Sequence, residues 1–193
     1  MRCVPVRATV LQMPEPEAYA SLPPIRRLRL ATLAPPTITL MPRTDRASRV
    51  IAAPRDRVYA ALVDPDALQV WLPPADMTGR FERFDPRPGG SYRLVLTYTD
   101  PSASQGKATA DTDVVESRFV DLVPGVRVVQ AVEFLSDDPA YAGTMTMTWE
   151  LTETGAGTRV DIVADNVPDG VAAEDHAAGM AASLGNLARY LEG

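Results

Sequence analysis

The sequence is poor in the residues that most often carry chemistry. It has one cysteine, Cys3, and one histidine, His176, in 193 residues. No disulfide can form within the chain, and a zinc site built from clustered Cys and His is excluded. A Cys–His nucleophile pair would have to join opposite ends of the chain. The sequence therefore predicts neither a metal nor a cofactor, and it assigns no catalytic residue.

Two further absences narrow the function. No run approaches the ~18 consecutive apolar residues of a membrane-spanning helix. Basic residues are not in excess either, since 19 Lys and Arg stand against 25 Asp and Glu, a net charge of −6. That balance disfavours a protein that neutralises nucleic-acid phosphates. With 46% apolar and 23% charged residues, the composition is globular. We predict a cytoplasmic protein with no membrane span and no nucleic-acid partner.

The first 43 residues differ in composition from the rest. They hold eight of the 18 prolines and six Arg against two Glu, whereas the remaining 150 residues carry 13 basic and 23 acidic side chains. Frequent proline forbids a continuous helix and removes donors from strands. We therefore predict a disordered, Pro/Arg-rich leader over residues 1–43 and a folded domain over residues 44–193.

Three interpretations of the leader remain open. Arg26-Arg27 followed by Leu28 and Leu30 resembles a twin-arginine export signal, but Pro35-Pro36 ends the apolar run before the ~7–15 residues that a signal needs. A basic amphipathic targeting segment has no better support. The third interpretation is that the leader is not translated, and that the working protein begins near Met41.

From Ser48 onward the pattern of apolar residues becomes regular. Residues 48–53 predict a strand, and start signals at Pro54 and at Asp64-Pro65 predict two short helices, the second ending at Pro73-Pro74. Alternation of apolar and polar residues then predicts about six strands. These strand segments are 81–83, 92–98, 114–120, 126–135, 145–151 and 160–164.

Residues 172–192 predict a long amphipathic helix, because its apolar stripe recurs every three or four residues. The stripe consists of His176, Met180, Leu184, Leu187 and Leu191. Glycine in a helix interior costs about 1 kcal/mol relative to alanine. At Gly179 and Gly185 we therefore expect a close approach to the sheet or to a bound molecule.

The order of elements excludes a parallel doubly wound sheet, which needs strands and helices in alternation. About 150 residues bury roughly 70% of their unfolded surface, enough for one core. We predict an α+β fold in which a curved antiparallel sheet of about six to seven strands wraps around the long C-terminal helix. Two short helices follow the first strand, and a gap is expected between sheet and helix.

Several stretches together resemble one known family. They are Val50-Ile51-Ala52-Ala53-Pro54, Trp71-Leu72-Pro73-Pro74, Phe84-Asp85-Pro86-Arg87-Pro88-Gly89-Gly90-Ser91-Tyr92, Gly143-Thr144-Met145-Thr146-Met147 and Asp175-His176-Ala177-Ala178-Gly179-Met180. With these, residues 45–192 resemble the helix-grip fold of the SRPBCC (START-like, birch-pollen-allergen-like) superfamily. Within it, the chain is similar to the bacterial branch related to the C-terminal domain of the activator of heat-shock protein 90 ATPase.

The resemblance implies a cavity and not one reaction. Members bind lipids, sterols, hormones or polyketides, some are cyclases or dehydratases, and eukaryotic relatives stimulate a chaperone. The apolar strand faces and the helix stripe supply nine candidate ligand-binding residues. These are Trp71, Phe81, Tyr92, Leu94, Met145, Met147, Trp149, His176 and Met180. Core packing is the competing interpretation of this set, since Met and aromatic residues fill irregular apolar space well.

His176 admits three roles: a core histidine, a polar anchor for a ligand, or a general acid or base held by an orienting carboxylate. The leading hypothesis is non-catalytic binding of a small apolar or aromatic molecule between sheet and helix. The alternatives are a cyclase, dehydratase or hydrolase that uses His176, and a chaperone accessory or stress-response module. A homodimer and a chaperone partner are left open.

Overall fold

Helices and strands follow one another in the predicted order. The computed structural model describes residues 42–100, 112–134 and 138–193. Within these ranges, β1 (Arg43–Ile51) is followed by helices α1 (Arg55–Val63) and α2 (Pro65–Trp71), then by six strands and the long helix α3 (Ala173–Glu192). The six strands are β2 (Met77–Phe84), β3 (Ser91–Tyr98), β4 (Thr112–Val123), β5 (Arg127–Glu133), β6 (Thr144–Thr154) and β7 (Gly157–Val167).

The strands form one seven-stranded sheet in the order β1-β7-β6-β5-β4-β3-β2. Every neighbouring pair is antiparallel. The pairing is irregular at Arg43/Thr44, Phe81/Arg83 and Phe119/Asp121, and such bulges bend a sheet and increase its twist. The curved antiparallel sheet and the terminal helix confirm the predicted α+β helix-grip fold.

Local sequence signals account for the turns between these elements. The Asp64 carboxylate accepts a hydrogen bond of 2.9 Å from the backbone N–H of Asp66, which caps α2 as the sequence predicts. Gly125 has a φ of +67° in the turn between β4 and β5, a conformation that favours glycine. At Gly90, before β3, a Cβ would lie 2.2 Å from the carbonyl oxygen of Asp85. Only glycine fits there.

Helix α3 contributes its apolar stripe to a single core. Met180, Leu184, Leu187 and Leu191 are buried, and they belong to the same cluster as the inward-facing residues of the sheet. Side chains two residues apart on a strand share a face, so the alternation in β3 and β6 turns one face of each strand to this core. His176, at the first turn of the stripe, is half-buried.

Two expectations differ from the structure. A Cβ at Gly179 or Gly185 would meet no atom of its surroundings within 4 Å, so neither glycine is required by a close approach. Strand β1 begins at Arg43, five residues before the predicted start at Ser48, because its first half pairs with β7 without an apolar run of its own. The predictions for residues 1–41 lie outside the described residues.

Neither a membrane span nor a metal cluster is found in the described ranges. None of their helices combines the length and the hydropathy needed to cross a membrane. In the same ranges, no three His, Cys, Asp or Glu side chains are grouped so that they could hold a metal ion.

Candidate functional site

The inner face of the sheet places two polar residues in one cross-strand row. Phe119 of β4 pairs with Gln130 of β5, which pairs with Met147 of β6. Met147 pairs in turn with Ala164 of β7, and Ala164 with Asp45 of β1. Gln130 and Asp45 are therefore three strand spacings apart, about 14 Å. This row therefore has two separate polar positions, one on each side of an apolar centre.

The two tryptophans of the chain meet in the core. Trp71 is the last residue of α2, and its indole N–H donates a hydrogen bond of 2.9 Å to the carbonyl of Ala61 in α1. The Trp149 indole of β6 lies edge-on to it, with ring centroids 5.7 Å apart and planes at 76°. Edge-to-face pairs of this kind stabilise a core beyond their buried area. Trp71 thus joins both short helices to the sheet.

A small internal cavity lies beside the two indoles. Its volume is about 10 Å³, which is room for about one water molecule. Apart from Gln130, the residues that line it are apolar or aromatic. The lining consists of Leu62, Leu68, Trp71, Leu72, Tyr92, Val128, Gln130 and Trp149. No residue of α3 lines this cavity, so the gap predicted between the sheet and the C-terminal helix lies instead between the sheet and the two short helices, where side chains almost fill it.

Gln130 is the polar exception in this lining. It is only 6% exposed, and its carboxamide has no hydrogen-bond partner among the described residues. The amide atoms are not sealed off, because the one fully buried side-chain nitrogen or oxygen without a partner in those residues is Arg55 Nε. They therefore face space that a water molecule can reach. The carboxamide has two N–H donors and one acceptor oxygen. The cavity therefore presents a donor and an acceptor that the fold itself does not use.

Tyr92 stands between the cavity and a second aromatic group. Its ring centroid lies 5.4 Å from that of Phe81, 5.9 Å from that of Phe84 and 5.6 Å from that of Phe119. Burial raises the pKa of the Tyr92 hydroxyl above its ordinary value of 10.0, and a hydrogen bond with Ser117 opposes this shift. The hydroxyl is therefore neutral at pH 7 and does not serve as a base there.

His176 is held by the carboxylate of Asp45, which lies on the edge strand β1. Its Nδ1 lies 2.8 Å from Asp45 Oδ2, and Arg43 donates from Nε and Nη2 to the same carboxylate at 2.9–3.2 Å. The Nη1 group of Arg43 donates to the carbonyl of Val171 at 2.7 Å. Burial alone would raise the pKa of Asp45, but hydrogen bonds and charges from Arg43 and His176 outweigh it, so the pKa lies below its ordinary value of 3.8.

This network ties the start of β1 to the start of α3. A histidine that acts as a general base also needs a carboxylate within hydrogen-bond distance to orient its imidazole. His176, however, does not line the internal cavity. The arrangement holds the imidazole outside the cavity that the two indoles border.

The nine candidate ligand-binding residues fall into three groups. Three of them line the internal cavity: Trp71, Tyr92 and Trp149. Five pack in the core without lining it: Leu94, Met145 and Met180, which are buried, and Phe81 and Met147, which are partly buried. The ninth, His176, contacts Asp45. The structure thus brings the indoles and Tyr92 together and leaves the histidine apart from them.

Sequence reasoning missed two residues of these sites, Gln130 and Asp45. A signal existed for Gln130, because it is a polar residue in the middle of the predicted strand 126–135, where most of its neighbours are apolar. No local signal marks Asp45, because it precedes the predicted first strand and its partner His176 is 131 positions away.

An open cleft lies on the other side of Trp71. Its volume is about 450 Å³, and it runs between the segment joining α2 to β2 and the C-terminal half of α3. Trp71 lines both this outer cleft and the internal cavity. Val70 and Tyr190, which are 69% and 41% exposed, form part of its apolar wall. Trp71 therefore borders both the solvent-open cleft and the internal cavity.

A second open cleft, of about 460 Å³, lies where α1 begins and where β6 turns into β7. It is lined in part by the charged residues Arg55, Asp56 and Glu153. None of its lining residues contributes to the internal cavity.

Comparison with known proteins places this geometry in a family. Residues 52–192 match the family model of activator of Hsp90 ATPase homolog 1-like proteins. A crystal structure from Chromobacterium violaceum is 33% identical, covers 79% of this chain and 99% of its own, and superposes with a TM-score of 0.68. Comparison with curated proteins gives no significant match.

More distant structures share the fold. A crystal structure from Mesorhizobium loti is 19% identical, covers 78% of this chain and 97% of its own, and has a TM-score of 0.61. The solution structure of an AHSA1-like protein from Aeromonas hydrophila is 18% identical, covers 78% and 92% respectively, and has a TM-score of 0.62.

Proposed function

The chain belongs to the family of activator of Hsp90 ATPase homolog 1-like proteins, and on that premise we propose that it binds a small apolar molecule between its sheet and its helices. The fold that it shares with its relatives commonly holds hydrophobic ligands. The proposed site is the internal cavity beside Trp71 and Trp149.

The observation that carries the proposal is the position of Trp71. This single residue lines both the open cleft of about 450 Å³ and the internal cavity. Leu72, its neighbour, also lines the cavity and is only partly buried. We propose that a molecule enters the core from the cleft past these two residues.

Binding requires the cavity to grow. Its volume is about 10 Å³, whereas an apolar cavity of about 150 Å³ is known to admit benzene in another protein. Trp71 is held to α1 by one hydrogen bond, and α2, which carries it, has only seven residues. We propose that movement of the α2 end and of Leu72 toward the cleft opens the site.

The alternatives have less support. A His176-dependent enzyme gains an orienting carboxylate in Asp45, but its imidazole does not line the internal cavity. No specific contact or surface favours a chaperone accessory or stress-response module. A cytoplasmic location, a bacterial origin, a homodimer and a chaperone partner stay predictions.

The proposal is tested by titrating the protein with toluene and following the indole N–H signals by ¹H–¹⁵N NMR. The chain has two tryptophans, and both line the cavity, so each signal reports on the site. We expect both to shift in a saturable way and the melting temperature to rise, because a ligand that binds only the folded state stabilises it.

A pair of variants locates the binding. Leu72→Ala enlarges the cavity and should tighten toluene binding, while Leu122→Ala removes the same atoms from a partly buried residue outside the lining and should leave the affinity unchanged. If neither indole signal moves in the wild type or in Leu72→Ala at saturating toluene, and phenol and benzamide also leave both signals unmoved, the proposal is wrong.

A further inference from the structure

The unpartnered carboxamide of Gln130 says more about the ligand than the apolar lining does. Gln130 is 6% exposed and lines the internal cavity, and no residue of the described ranges bonds to its side-chain amide. We propose, on the basis of the proposed function, that the bound molecule is neutral, small and aromatic and carries one group that both donates and accepts a hydrogen bond, which Gln130 recognises. Phenols and primary amides belong to this class.

The hydrogen-bonding requirement follows from the chemistry of the carboxamide. Its oxygen accepts and its nitrogen donates on the same edge of the side chain. The free cavity has room for about one water, which can satisfy part of this edge. A ligand that displaces such a water and cannot replace its hydrogen bonds loses affinity. A ligand with a hydroxyl or amide group keeps them.

The requirement for neutrality follows from the lining. None of the eight lining residues carries a charge. The nearest charged group of the same cross-strand row is Asp45, three strand spacings or about 14 Å from Gln130. Asp45 is also already paired with Arg43 and His176. A charged ligand would therefore enter the core without a counter-ion, which is strongly unfavourable.

The aromatic requirement follows from the shape of the walls. The Trp71 and Trp149 planes meet at 76°, and the ring of Tyr92 completes the aromatic part of the lining. A flat ring placed in such a corner stacks on one indole and meets the edge of the other, both of which are favoured contacts. Apart from Gln130, the remaining lining residues are aliphatic, and they can pack against the edge of the same ring.

Two pairs of equally sized probes separate these requirements. Phenol and toluene differ by the hydroxyl group, and benzamide and benzoate differ by the charge. All four are titrated by the indole N–H signals into the wild type, Gln130→Met and Gln69→Met. Gln69→Met is the matched control, because Gln69 lines the outer cleft and not the cavity. For each pair of probes, the ratio of their affinities is compared between the wild type and each variant. The difference in hydration between the two probes is the same for every protein and cancels in this comparison.

We expect Gln130→Met to lower the ratio of phenol affinity to toluene affinity about tenfold, the equivalent of one hydrogen bond, and Gln69→Met to leave it unchanged. Benzamide should bind the wild type at least tenfold more tightly than benzoate, and it should shift the Gln130 side-chain amide signal. If Gln130→Met does not fold, the benzamide–benzoate comparison and that amide shift in the wild type decide the inference.

The inference is overturned if the ratio of phenol affinity to toluene affinity is unchanged in Gln130→Met. It is also overturned if benzoate binds as tightly as benzamide. In either case the proposed function stands. If toluene, phenol and benzamide all fail to bind, the proposed function itself is wrong, and the inference falls with it. The two failures therefore have different signatures.

Discussion

His176 and Asp45, 131 positions apart in the sequence, meet with 2.8 Å between Nδ1 and Oδ2. Through this contact the first strand of the sheet holds the first turn of the terminal helix. Arg43 binds the same carboxylate, so three residues share one ion-pair network.

Asp45→Asn removes the charge at the centre of this network. We expect the free energy of unfolding at pH 7 to fall by about 2 kcal/mol, the contribution of hydrogen bonds to a charged group. The comparison is Asp161→Asn, whose partner Arg159 is 53% exposed. An exposed ion pair contributes at most about 1 kcal/mol. Urea unfolding of the two variants measures the difference.

The effect of Asp45→Asn should depend on pH. The pKa of Asp45 is lower in the folded protein than its ordinary value of 3.8, so the unfolded chain takes up the proton first as the pH falls. The stability that the carboxylate contributes is present above pH 3.8 and is lost as the pH falls through the folded-state pKa. A difference between wild type and variant that persists unchanged at still lower pH would contradict this account.

Gln130→Met should stabilise the free protein by up to about 1 kcal/mol, because it replaces an amide in an otherwise apolar lining by an apolar side chain of similar volume. Gln69→Met should change stability by less than about 0.5 kcal/mol, as expected for a substitution outside the core. Unfolding in guanidinium chloride compares the two. A loss of stability in Gln130→Met would mean that its carboxamide is satisfied within the folded chain.

Gly179→Ala and Gly185→Ala should each stabilise the protein by about 0.5–1 kcal/mol. Alanine is the better helix former, and a Cβ at either position meets no atom within 4 Å. Gly90→Ala is the contrasting case, because its Cβ would lie 2.2 Å from the carbonyl oxygen of Asp85. In thermal unfolding, the melting temperature should rise in Gly179→Ala and Gly185→Ala and fall clearly in Gly90→Ala. A fall at Gly179 or Gly185 would point to a partner that covers α3.

Trp71→Phe should cost more stability than Trp149→Phe, by about 1 kcal/mol. Both changes remove ring area from the same core, but the Trp71 indole also donates to the Ala61 carbonyl, and a hydrogen bond contributes about that much. Denaturant midpoints with unchanged slopes would measure the difference. Equal losses would show that the Ala61 bond adds nothing.

The strands and helices could be predicted because their signals are local. Asp64 caps α2 through its own neighbour Asp66, and β6 alternates so strictly that Met145 and Trp149 had to face one side together. The start of β1 could not be predicted in this way. Asp45 faces the core there only because His176 and Arg43 satisfy its charge, and those contacts exist only in the folded chain.

The cavity was predicted only in part for a similar reason. Apolar patterning identifies the inner face, so Trp71, Tyr92 and Trp149 were within reach of the sequence. The position of the cavity depends on how Leu62, Leu68 and Val128 fill the space around them. Packing at that level of detail leaves no periodic signal in the sequence.

The outermost strands, β1 and β2, have a consequence for the protein in a crowded cell. Within the described residues, each has a sheet neighbour on one side only, and such strands invite addition of a foreign chain and growth into fibrils. Exposed charges line both borders, Arg46 and Arg49 on one and Arg80, Glu82 and Arg83 on the other. A fibril would have to bury these charges beside their own copies. The chain can therefore leave its sheet unclosed around α3 without becoming a seed for aggregation.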